Sequence, residues 1–204
     1  MADLKRYNAE HFDEMESSVT VFRSIGMFSE YLRGRVLDIG CGKGRLQAHV
    51  DGEYYGVDIS ERCGGYVKNF TCVDASREPL PFRDGFFDAV AVFSVLEHVE
   101  NFIFLMEEVR RVLRKGGAAL VVVPNPRNIM YNGIVLRKFA LAQKEQSPHI
   151  HSFTEEDLRN LFFIVGMRAV RIERVGNRIL GRRLPEMRPF NLFAEDIMAV
   201  AVKD

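Results

Sequence analysis

The 204 residues predict an α/β chain: a mainly parallel sheet with helices on both faces, finished by an antiparallel hairpin strand at its C-terminal end. Three observations point there. Short apolar runs alternate with helical ones along the sequence, which is the rhythm of βα units. The central runs, "FDAVAVF" and "AALVVV", are apolar almost continuously, as expected of parallel strands covered on both sides. Three glycines at alternate positions, Gly40, Gly42 and Gly44, follow the first apolar run.

Residues 1–33 precede the first strand and are expected to form a helical cover. Strands are predicted at 35–39, 53–58, 67–74, 86–93 and 118–123. Ahead of the last of these, Asn101 caps a helix on which Phe102, Leu105, Val109, Val112 and Leu113 share one face, and Gly116 and Gly117 end it. Residues 125–152 hold Pro126, Gly133 and Pro148 around the amphipathic piece "IMYNGIVLRKFALAQ". So long a connection between strand and helix predicts a lid or substrate wall. A second helix is predicted at 154–165, with Thr154 as cap, acids in its first turn, and Leu158, Leu161, Phe162 and Val165 facing inward; Gly166 stops it. Two further strands, at 168–174 and 196–202, pair antiparallel to close the sheet. The whole of 1–204 reads as one domain, long enough to bury a substantial core.

Lys plus Arg and Asp plus Glu each number 28, so no global charge is built to hold nucleic acid or an acidic membrane. Seven arginines between 168 and 188, opposed by Glu173 and Glu186, are read mainly as solvated strand faces. The three cysteines, Cys41, Cys63 and Cys72, are odd in number and make no CxxC pair, which excludes a disulfide framework and a zinc cluster of that kind. No run approaches the roughly 20 apolar residues that span a bilayer, and the first residues lack a signal core. The expectation is a cytoplasmic protein.

The glycines after a buried strand allow backbone N–H groups to approach a ligand without Cβ collision. Their G-x-G-x-G spacing in "VLDIGCGKGRL" is one residue shorter than the dinucleotide G-x-G-x-x-G, and no Lys-Ser/Thr ending follows as in a phosphate-binding P-loop. The helix-like run after the loop is expected to present its positive end to a negative group. Asp58 closes the second predicted strand, where a carboxylate can accept both hydroxyls of a ribose, and Asp74 closes the third. Glycines and two acids on one sheet edge describe a nucleoside-shaped site.

In order and spacing these segments resemble the class I S-adenosylmethionine (SAM) dependent methyltransferases, in the group often called type 11, whose fold is a Rossmann-like seven-stranded sheet. "VLDIGCGKGRL" is similar to the family's first motif, "GVDIS" to its second-strand acid, "CVDAS" to its adenine segment and "FFDAVAVFSVLEHVE" to the segment after it. "VLRKGGAALVVVPNP" and "HIHSFTEEDLRNLFFIVGM" resemble later stretches. The resemblance implies that Asp38 and the loop Gly40, Cys41, Gly42 and Gly44 hold the methionine part, Asp58 the ribose and Ile59 one adenine face. It further implies that Asp74 and the backbone of Ala75 read the adenine edge, and that Phe93 and Ser94 flank the amino acid tail. Asp38 has a second reading, as an acid that braces the loop by accepting its N–H groups.

Methyl transfer by in-line displacement depends mainly on alignment. An acceptor hydroxyl or protonated amine also has to lose a proton, and the candidates to take it are His98, beside Glu97, and His149 and His151, with Tyr7 and His11 as alternatives. Glu97 itself reads as a helix-capping acid. His149 and His151 at alternate positions are compatible with two metal ligands, but no third stands nearby in sequence, and no metal is assigned. The acceptor is expected to be a small molecule, lipid-like or glycan-like. A SAM or S-adenosylhomocysteine sensor and, less consistent with the glycine spacing, a nicotinamide-dependent oxidoreductase are the rival readings.

Overall fold

The computed structural model describes residues 25–128, 149–176, 178–179, 182–183 and 194–204. Of the predicted cover, 25–33 fall within these residues; of the predicted lid, 125–128 and 149–152 do. Tyr7, His11 and most of the lid's amphipathic piece lie outside them.

Seven strands form one sheet: β1 (Arg33–Ile39), β2 (Asp51–Asp58), β3 (Phe70–Cys72), β4 (Phe87–Phe93), β5 (Leu113–Pro124), β6 (Arg168–Val175) and, after a small separate hairpin of β7 (Arg178–Ile179) and β8 (Arg182–Arg183), β9 (Asp196–Val202). The spatial order is β3-β2-β1-β4-β5-β9-β6. The first five strands pair parallel, and β9 runs antiparallel to both β5 and β6. This is the mainly parallel seven-stranded sheet with an antiparallel C-terminal hairpin that the sequence predicts.

Because successive strand residues point to opposite faces, each central strand feeds two cores. Val90, Val92, Ala119, Val121, Val123, Ile197, Ala199 and Ala201 enter one core, with Leu105, Met106 and Val109 of helix α1 (Phe102–Val112) and Leu158, Leu161 and Phe162 of α2 (Glu155–Ile164). Ala89, Ala91, Ala118, Leu120, Val122, Met198 and Val200 enter the other, closed by Ile25 and Phe28 of the 3-10 helix Ile25–Tyr31 and by Leu46 of the 3-10 helix Arg45–His49. The caps are those predicted. The Asn101 side chain accepts the Phe104 N–H, and Thr154 and Asp157 form a reciprocal capping box.

Three elements differ from the sequence expectation. The run after the glycine loop is a five-residue 3-10 helix, not an α-helix. Only residues 40–50 join β1 to its parallel neighbour β2, shorter than the dozen or more that usually carry such a crossover. β3 is confined to three residues, because Asn69 turns and spends its side-chain amide on the Tyr54 carbonyl. Asp74 therefore lies two residues beyond the strand. Finally, Gly116 and Gly117 do not end α1. The chain turns extended at Leu113, which pairs with Phe87; the register then jumps so that Ala89 faces Ala118. Gly116, with φ +71°, lies within the displaced stretch, and the Lys203 ammonium donates to the carbonyls of Leu113 and Arg111 at the helix end.

Arg111 holds the loop before β4 against α1. Its guanidinium donates to both Glu108 oxygens, to Asp84 and to the carbonyls of Leu80 and Phe82. Among the described residues no helix is long and apolar enough to cross a membrane.

Candidate active site at the carboxyl edge of the sheet

β1 ends at Ile39, and the loop 40–44 turns over its carboxyl end. The N–H groups of Gly40 and Cys41 both donate to the Val57 carbonyl of β2, at 2.8 and 3.1 Å, so the loop is suspended from the neighbouring strand. Gly40, Gly42 and Gly44 all have positive φ, at 71°, 49° and 68°, which side-chain-bearing residues adopt only at a cost. Their surroundings separate them. A Cβ at Gly40 would collide with Val95, and one at Gly44 would stand 2.8 Å from Val67 Cγ2. A Cβ at Gly42 would meet nothing within 4 Å. The outer glycines are required by packing, while the middle one faces open space.

Asp58 ties the two strand ends together. One carboxylate oxygen accepts the Gly42 N–H at 3.0 Å and the other the Ser60 N–H at 2.9 Å. Each oxygen retains a lone pair for a further donor. Ile59 follows half-buried, its carbonyl accepting from the Cys72 thiol. Asp74 lies half-buried in the turn after β3, where one oxygen accepts both the Ser76 N–H and its hydroxyl, the latter at 2.6 Å. Ala75 is half-buried beside it.

Asp38 is 5% exposed and accepts the Tyr54 hydroxyl at 2.7 Å. Burial pushes its carboxyl up to about 7, with the nearby Asp58 charge adding to the effect, and the Tyr54 phenol is driven up as well, chiefly by burial. Tyr54 is a partner that no motif or spacing singles out; the pairing of β1 with β2 brings it to Asp38. Cys41 is buried, and its thiol is pushed far up by its hydrogen bond with Cys63 and by burial. It is no nucleophile near neutral pH.

Phe93 and Ser94 leave β4 on the same edge. Ser94 has φ +53°, the one positive value outside glycine among the described residues, and its N–H is held by the Val122 carbonyl at 2.9 Å. Such strain persists where the surroundings enforce it and often marks functional positions.

Beyond Ser94, residues Leu96–His98 form a single 3-10 turn rather than the start of a helix. Glu97 is therefore not a capping acid. It is 1% exposed, and neither of its carboxylate oxygens has a hydrogen-bond partner among the described residues. Burial, and then the Asp196 charge, hold its carboxyl up at about 7. The Glu97 carbonyl accepts the N–H groups of Ile150 and His151, at 2.8 and 3.2 Å. These two bonds bring the His149 ring to 4.8 Å from that of His98, and burial lowers the His149 imidazole's affinity for a proton. His151 packs edge-on against Phe102 at 5.0 Å, with its Nε2 buried and without a hydrogen-bond partner among the described residues. The structure thus brings His98, His149 and Glu97 into one group and sets His151 in an aromatic pocket alongside.

Comparison with known proteins agrees with this architecture. Residues 37–121 match the methyltransferase domain family. A probable S-adenosylmethionine-dependent methyltransferase of Mycolicibacterium smegmatis is 30% identical over 145 residues, 65% of this chain and 56% of that protein. The ubiquinone/menaquinone biosynthesis C-methyltransferase UbiE of Yersinia pestis is 35% identical over 104 residues, 43% of this chain and 41% of that one. The chain matches about half the length, or less, of such curated relatives. Among solved structures, a SAM-dependent methyltransferase from Archaeoglobus fulgidus superposes with a TM-score of 0.69 at 20% identity, covering 97% of this chain and 99% of that one; at that identity the likeness speaks to the fold. Taken together, the glycine loop, the order of the strands and the match over residues 37–121 support a methyltransferase domain similar to the class I S-adenosylmethionine-dependent methyltransferases, whose cofactor is S-adenosylmethionine.

Proposed function

We propose that this protein transfers a methyl group to an oxygen, nitrogen or carbon nucleophile of a small-molecule, lipid-like or glycan-like acceptor, in the cytoplasm. The observation that carries the reading is Gly42: of the three loop glycines it is the one where a side chain would meet open space, and its N–H is held by Asp58. Open space over the Gly42 backbone, beside a carboxylate with lone pairs to spare, leaves room for an adenosine bearing a methionine tail. When bound, S-adenosylmethionine supplies a methyl group on a sulfonium, which leaves by in-line displacement.

In this reading the residues hold rather than react. Asp58 accepts the ribose hydroxyls while keeping the loop closed through the Gly42 N–H. Ile59 covers one adenine face, and Asp74 with the Ala75 backbone meets the adenine edge. Asp38, braced by Tyr54, and the loop of Gly40, Cys41, Gly42 and Gly44 face the methionine part, and Phe93 and Ser94 flank it. Alignment of nucleophile, methyl and sulfur contributes on the order of 7–11 kcal/mol. The imidazoles of His98, His149 and His151 stand on the acceptor side, where a hydroxyl or ammonium has to lose its proton.

The test is incubation with methyl-labelled S-adenosylmethionine and a panel of hydroxyl, amine and carbon acids, following S-adenosylhomocysteine release and label in the acceptor. Turnover supports the proposal. Tight cofactor binding with no transfer to any acceptor supports a sensor instead, and binding of NAD in its place overturns the reading.

A further inference from the structure

Glu97 poses a problem that the cofactor edge does not solve. A carboxylate 1% exposed, with neither oxygen hydrogen-bonded among the described residues, carries a desolvation cost that native proteins offset with a cation or a donor. Among the described residues, His98 Nε2 stands 3.9 Å from Glu97 Oε1, too far for a hydrogen bond. One carboxylate oxygen of Glu97, one nitrogen of His98 and one of His149 all lie within 4.8 Å of one another.

We propose that Glu97, His98 and His149 form a binding site for one divalent transition-metal ion of the zinc class. Zinc bonds of about 2.0–2.2 Å to nitrogen and oxygen place tetrahedral ligand atoms roughly 3.4 Å apart, so three donors with gaps up to 4.8 Å close on an ion by side-chain rotation. The donor set selects the metal. Two imidazoles and one carboxylate suit zinc and its neighbours, whereas magnesium and calcium take oxygen. Three protein ligands also leave a coordination position open, the arrangement of catalytic rather than structural zinc. Exposure grades in that direction: Glu97 is buried, His98 half-buried and His149 exposed, so an ion enters from solvent and its open position faces outward. The negative charge of Asp196, near enough to act on Glu97, adds to the attraction for a cation.

The sequence conceals this site because His149 lies far along the chain from its two other donors, Glu97 and His98. His149 and His151 read as a ligand pair lacking a partner, and the fold supplies Glu97 and His98 from about fifty residues upstream through the two backbone bonds to the Glu97 carbonyl. His151, in its aromatic pocket, is replaced in the set by His98. An acceptor hydroxyl or thiol bound at the open position would lose its proton to bulk water more readily, because the ion lowers its pKa; this last consequence rests on the methyl-transfer reading, and the binding of the ion does not.

The full chain, stripped with a chelator and dialysed, is titrated with Zn2+ by calorimetry and with Co2+ by visible absorption. One equivalent should bind. Glu97→Gln, which keeps the shape of the side chain, and His149→Ala should each weaken binding by more than the roughly 10- to 100-fold that loss of an outer-sphere partner costs, while His49→Ala, far from the group, should leave it unchanged. Absence of stoichiometric binding to the folded wild-type protein overturns the proposal, as does binding that survives Glu97→Gln. A parallel titration with S-adenosylmethionine keeps the two readings apart: cofactor binding without Zn2+ binding removes the metal site and leaves the methyl-transfer reading standing.

Discussion

Replacing Asp58 with alanine removes the acceptor for two backbone donors, Gly42 N–H at 3.0 Å and Ser60 N–H at 2.9 Å, and in the proposed function the acceptor for the ribose as well. Hydrogen bonds to a charged group are worth about 1.5–3 kcal/mol each. The exposed edge lets water reclaim part of the two backbone bonds, so the folded protein should lose about 1–2 kcal/mol of stability. Cofactor affinity should fall by about 1.5–3 kcal/mol, a dissociation constant raised roughly 10- to 150-fold. Calorimetric titration with S-adenosylmethionine and S-adenosylhomocysteine measures the second quantity, and thermal melting of the cofactor-free protein the first. The two readouts diagnose different failures. A melting temperature that drops while the dissociation constant stays at the wild-type value would leave Asp58 as a brace of the loop and remove it from the binding site.

Gly42→Val should abolish detectable cofactor binding, since its side chain enters the open space that the proposed function gives to the ligand, while the positive φ of 49° costs the fold only about 1–2 kcal/mol; a folded variant that binds normally would show that the ligand lies elsewhere. Asp38 predicts a pH effect. Its carboxyl titrates near 7 in the folded chain against 3.8 when unfolded, so between those values the native state holds a proton that the unfolded state has released, and stability falls as pH rises through the window, by on the order of 4 kcal/mol. Asp38→Asn should flatten that decline, though not erase it, because Glu97 is raised in the same direction; an unchanged slope in denaturant titrations from pH 4 to 7 would contradict the burial argument.

Most of the sheet was legible because burial on both faces writes continuous apolar strands, and "FDAVAVF" and "AALVVV" leave little else for those residues to do. The caps at Asn101 and Thr154 were legible for the same local reason: a side chain satisfies N–H groups within its own turn. What escaped depended on contacts between distant segments. Nothing around Gly116 tells that Leu113 is drawn out of the helix to pair with Phe87, and nothing around Glu97 tells that residues 150 and 151 will bind its carbonyl. The glycine loop lies between these cases. Its spacing announced a close approach of backbone to something, but only the three dimensional surroundings distinguish Gly42, which faces space, from Gly40 and Gly44, which face Val95 and Val67.

The position of β9 has a consequence for synthesis on the ribosome. It follows every other described strand in sequence, yet it sits inside the sheet, bonded on one side to β5 and on the other to β6. Until residues 196–202 emerge from the exit tunnel, β6 has no strand to join and β5 presents a bare row of amides. A nascent chain halted before that point would carry two unpaired strand edges at once, a species prone to self-association, and the seven residues of β9 close both in a single step.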